Sequence, residues 1–126
     1  MSLQSPLGQA RGLGSAKNGT HHWWMQRVTA IALIPLSLWF VISIIKMTGA
    51  SYVEAIHWIQ SPFNAIMLLL LIIATFHHMQ LGLQVVIEDY IHNEGLKVIL
   101  IVSQKLASFA LALAASFAVL KIAFGG

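Results

Sequence analysis

Residues 62 to 91 read PFNAIMLLLLIIATFHHMQLGLQVVIEDYI, and between Pro62 and Ile87 the only ionisable side chains are His77 and His78. A run of this length exceeds the roughly 20 residues that cross a hydrocarbon core as a helix. In lipid, only a helix satisfies the backbone of such a segment from within. Two further stretches of the same kind run from about Trp24 to Met47 and from about Leu96 to Phe124. The expected fold class is therefore all-α. Three helices, near 24–47, 62–91 and 96–124, form an integral membrane domain over 21–126, and a polar tail over 1–20 precedes it.

Composition agrees. The chain has 126 residues, 58% of them hydrophobic and 9% charged, where a soluble domain carries roughly a quarter charged residues. Cysteine is absent, which excludes disulfides, thiolate-held iron–sulfur clusters and cysteine-ligated haem. Met1 to Gly19 has Arg11 and Lys17, no acid, and no apolar segment leading to a small-residue cleavage site, so it reads as a flexible cytoplasmic tail and not a signal peptide. Arg11, Lys17, Arg27 and Lys97 lie toward one side of the spans, and Lys46 and Lys121 toward the other. The positive-inside rule then favours a cytoplasmic N-terminus. The basic pI of about 9.6 reflects that topology; no soluble basic face for nucleic acid is present. The short tail favours a bacterial inner membrane over a mitochondrial one.

Pro35 within the first span permits a mild kink. His21, His22, Trp23 and Trp24 at its head are suited to headgroup level. Between the first two spans, Tyr52, Val53, Ile56 and Ile59 recur at helical spacing, which predicts a short helix lying on the outer surface. Ser61 and Pro62 suit the cap and first turn of the second span. The third span is rich in Ala and Ser, small residues that let helices approach closely in lipid, and that richness predicts partner helices.

An ionisable group at membrane depth is costly and usually serves a cofactor, an ion path or a bundle interior. On a helix, His78, Gly82, Val85 and Asp89 share one stripe, and His77, Leu81, Gln84 and Glu88 the next. One turn beyond His78 stands a glycine, leaving room for a flat macrocycle, whereas His77 is followed by a leucine. For haem held through a neutral imidazole nitrogen, His78 is the better ligand. The alternative is a histidine that only hydrogen-bonds to a neighbouring helix. Arg27 can grip a carboxylate such as a haem propionate, or serve as an interfacial anchor. Asp89 and Tyr90 lie about 16 to 18 Å along the axis from His78. There a phenol can donate to a quinone carbonyl and a carboxylate can help supply protons; the alternative is an aromatic-belt tyrosine beside a solvated acid.

At these residues the chain resembles the small hydrophobic membrane-anchor subunits of succinate dehydrogenase (respiratory complex II). The resemblance rests on Gly19, Thr20, His21 with Arg27, Val28, Thr29, Ala30, Ile31, and on His78, Gly82, Asp89, Tyr90 at their spacing. It implies a three-helix anchor that transfers no group by itself. Such an anchor pairs with a second membrane-anchor (cytochrome b) subunit to hold haem b and a ubiquinone site, while an iron–sulfur subunit and a flavoprotein subunit bind on the inner face. Carried over by position, His78 is the axial haem and iron ligand. Arg27 and His21 lie at the haem, and Tyr90 and Asp89 at the quinone. His77 beside the ligand departs from the pattern, and so does the His22, Trp23, Trp24 entry. A membrane scaffold or assembly protein, or a b-type cytochrome subunit of another oxidoreductase, is the alternative function.

Overall fold

The structure, a computed structural model, describes residues 5–10 and 17–125, the side chains of 9, 17 and 18 excepted. Arg11 lies outside the described residues. The elements are α1 (Pro6–Ala10), α2 (Lys17–Lys46), α3 (Tyr52–Gln60), α4 (Pro62–Tyr90) and α5 (Glu94–Ala123). Three of these, α2, α4 and α5, are long and apolar enough to cross a membrane, as the sequence predicts, and no strand occurs among the described residues.

The boundaries have local causes. At the N-terminal end α2 begins at Lys17, ahead of the apolar run, because the polar residues through His22 lack apolar periodicity but carry no helix breaker. His21 to Trp24 thus sit on its first turns. The helix continues through Pro35 to Lys46, and the chain then reverses at Gly49, whose φ of 84° is a conformation that glycine adopts without steric cost. Ser51 and Glu54 start α3 with a reciprocal capping box: Glu54 Oε2 accepts from the Ser51 amide at 2.6 Å, and Ser51 Oγ accepts from the Glu54 amide at 3.3 Å. Pro62 opens α4 at its first turn, where its missing N–H costs nothing. Asn93 caps α5 by accepting from the Leu96 amide at 2.9 Å.

Helix α4 is the middle of a row. It packs on α2 along one side and on α5 along the other, while α2 and α5 share no interface among the described residues; α3 rests on both α4 and α5. Leu36, Ala65, Leu68, Ala74 and Leu81 make up the buried apolar core, joined by Thr29 and Ser108. Among the described residues no large side chain is fully buried, and isoleucines, leucines and phenylalanines stand exposed along all three long helices. For spans in lipid that exposure carries no penalty, because acyl chains are as apolar as the side chains they meet.

Candidate functional site

The site is built where α2 crosses α4 near mid-span. Antiparallel packing sets Thr29 of α2 opposite His78 of α4, and one turn further Gln26 opposite Gly82. The Thr29 hydroxyl oxygen lies 3.0 Å from His78 Nδ1. It also lies 2.7 Å from the Met25 carbonyl and 3.1 Å from that of Gln26. A hydroxyl has one proton to give, and the Met25 carbonyl is the nearest acceptor. With the proton given to Met25, the Thr29 oxygen accepts from an Nδ1–H of His78, which leaves the free lone pair of a neutral imidazole on Nε2. Thr29 is 6% exposed, so this bond is sheltered from competing partners. His78 itself is half-buried. Among the described residues its Nε2 makes no hydrogen bond and is not one of the buried atoms lacking a partner, so it opens to the surface.

Gly82 completes the seam. A side chain at that position would point at the Gln26 amide, with Nε2 3.5 Å from the Cβ. The space predicted beside His78 is thus taken by Gln26 of α2, and the glycine lets the two helices approach. Together these features suit one axial ligand of a haem. Among the described residues no three His, Asp or Glu side chains converge as a metal cage.

His77 faces elsewhere. Its Nδ1 is 3.4 Å from the Gln80 amide nitrogen, which can only donate, so His77 accepts there and the contact is longer than that of its neighbour. His77 lines a cleft of about 450 Å³ between α4 and α5, with Gln80, Lys105 and Ser108. It also lines a groove across α4 with His21, His22, Gln84, Glu88 and Lys105. The polar groups in this region are incompletely paired. Gln104 Nε2 donates to the Gln80 carbonyl at 3.2 Å, but Gln80 Oε1, Gln104 Oε1, Gln26 Oε1 and His22 Nε2 are buried without partners.

The residues predicted from sequence thus divide. His78 and Gly82 lie in the α2/α4 seam. His21 lines the groove that contains His77 and does not line up with Arg27, whose guanidinium carbon stands 5.4 Å over the Trp23 ring. Asp89 and Tyr90 lie at the end of α4, exposed, Tyr90 to 76%. Thr29 and the three glutamines were given no role by the sequence. The available signal was an amide or hydroxyl within an apolar span, where polar side chains commonly bond across helices.

Comparison with known proteins adds the family. The family model described as Succinate dehydrogenase/Fumarate reductase transmembrane subunit matches residues 1–120. A Rickettsia bellii protein named "Succinate dehydrogenase hydrophobic membrane anchor subunit" is 42% identical over 84% of this chain and 85% of its own length. A Paracoccus denitrificans protein of the same name is 31% identical over 99% and 96%. A Reclinomonas americana "Succinate dehydrogenase membrane anchor subunit" is 31% identical over 66% and 72%.

Proposed function

Because the chain belongs to the succinate dehydrogenase/fumarate reductase transmembrane subunit family, we propose that it is the hydrophobic anchor of a succinate:quinone oxidoreductase in a bacterial inner membrane, with His78 supplying one axial ligand to haem b. The observation that supports this reading is that His78, at mid-span, has Nδ1 paired with Thr29 and an Nε2 without a partner among the described residues. Bound there, haem b would supply a one-electron carrier inside the membrane. A second anchor subunit brings the other ligand. The exposed stripe Ala107, Ala110, Ala114 and Ala118 on α5 is of the small-residue kind that admits a close neighbouring helix.

Arg27 has no carboxylate partner among the described residues and is free to take a haem propionate. His21 is the second candidate for that role, from the groove side. With the N-terminus inside, Tyr90 and Asp89 stand at the cytoplasmic end of α4, where the iron–sulfur subunit would bind with the flavoprotein behind it. There the phenol donates to a ubiquinone carbonyl, and the carboxylate beside it holds a proton for quinone reduction.

The test is a reduced-minus-oxidised spectrum of the complex purified with variants of this chain. His78→Ala is expected to remove the haem band, and His77→Ala to leave it near normal. The reverse would assign the ligand to the other stripe, and a band surviving both would return this chain to a purely structural anchor.

A further inference from the structure

The buried hydroxyl of Thr29 has no role in the reading above beyond neighbouring His78, yet its bonding is specific. Its nearest acceptor is the Met25 carbonyl within α2, at 2.7 Å; with the proton given there, the oxygen accepts from His78 Nδ1, 3.0 Å away. A neighbour that could switch between giving and taking a proton would leave the imidazole free to hold either tautomer. A hydroxyl locked by its own helix does not. We propose that Thr29 is the positioning residue of the haem site: it holds His78 as the Nδ1–H tautomer at a fixed ring rotation, so that Nε2 is presented as a neutral donor of set basicity. This rests on the assignment of His78 as ligand.

The physical content is that of an outer-shell partner. The N–H of a ligating histidine that donates to an acceptor makes the metal-bound nitrogen more basic and fixes its orientation, and loss of such partners commonly weakens metal binding about 10- to 100-fold. A more basic ligand favours ferric over ferrous iron. Removing the acceptor therefore moves the haem midpoint potential upward. A neutral hydroxyl is a weaker acceptor than a carboxylate and leaves the imidazole uncharged, which suits an apolar span.

Three variants in the purified complex test this: Thr29→Val, isosteric but unable to accept, Thr29→Ser, which retains the hydroxyl, and His78→Ala as the reference. The expected result is that Thr29→Val raises the midpoint potential, perturbs the low-spin haem signal in electron paramagnetic resonance and loses haem about 10- to 100-fold more readily. Thr29→Ser is expected to restore all three. If the valine complex is not recovered, Thr29→Ala removes the same acceptor without the branched bulk. Potential, signal and retention unchanged in Thr29→Val, with haem lost in His78→Ala, would overturn the role of Thr29 and leave His78 as ligand. Haem retained in His78→Ala would overturn the ligand assignment itself. Assembly lost with valine and with alanine but kept with serine would also overturn the proposal, since the hydroxyl would then serve the fold.

Discussion

The indole of Trp39, on α2, stacks on that of Trp58, on α3, with ring centroids 5.6 Å apart and planes 18° from parallel. The edge of Phe63 closes on the same Trp39 ring at 6.5 Å and 84°, and the Trp58 carbonyl accepts from Asn64 Nδ2 at 2.9 Å. This cluster ties α2 and the start of α4 to the short helix between them. An aromatic pair contributes about 0.5–1.5 kcal/mol beyond its buried area. Trp58→Ala should therefore speed hydrogen exchange of the α3 amides roughly two- to tenfold while the C-terminal half of α4 is unaffected. Unchanged exchange in α3 would mean that the stack adds nothing to its docking.

The Glu54 carboxyl, at the head of α3, is held below its usual range of 4.5 by the backbone hydrogen bond from Ser51 and then by the Ser51 side chain. A depressed folded-state pKa means that the capping box contributes stability above the ordinary glutamate range and loses it as pH falls through the lowered value. The Glu54 carboxyl carbon shift should titrate with a midpoint below 4.5, and Ser51→Ala should move that midpoint upward. A midpoint above 4.5 in the parent chain would contradict the bonding described.

Gly82→Ala tests what the glycine is for. A Cβ there meets only Gln26 Nε2, at ordinary contact distance of 3.5 Å, and alanine is favoured over glycine in a helix by about 0.8–1.0 kcal/mol. The chain should accept alanine with haem content of the complex near normal, whereas Gly82→Leu should displace Gln26 and lower it. Haem loss with alanine as severe as with leucine would show that something outside this chain fills the gap.

Tyr90→Phe separates the two ends of α4. Loss of a hydrogen bond typically costs about 0.5–1.5 kcal/mol, so quinone reduction should fall roughly two- to tenfold. The haem spectrum, and succinate oxidation with a soluble acceptor, should stay near the parent values, because Tyr90 lies about 18 Å along the helix from His78. Unchanged quinone reduction would make Tyr90 an interfacial belt residue.

The three spans are legible in the sequence because a long apolar run in lipid has essentially one solution, and α3 because Tyr52, Val53, Ile56 and Ile59 keep helical spacing across a polar background. The start of α2 is less so: His21, His22 and Gly19 dilute the apolar signal although nothing in them stops a helix. Within the site, the preference for His78 over His77 follows from Gly82 alone. Thr29 could not be assigned beforehand, since its partner depends on how α2 and α4 register, and that register is set by packing between helices and not by periodicity within either. The orphaned amides of Gln26, Gln80 and Gln104 have the same explanation.

Since α2 and α5 flank α4 without meeting among the described residues, an unassembled copy would keep its glutamine carbonyls buried without partners and hold the exposed Lys105 against acyl chains. Such unsatisfied groups cost free energy in hydrocarbon, and they mark a protein whose lifetime depends on being joined. Its abundance in the cell should therefore follow the supply of the other subunits, with surplus copies degraded rather than stored; in a pulse-chase without those subunits, this chain should decay much faster than it does in their presence.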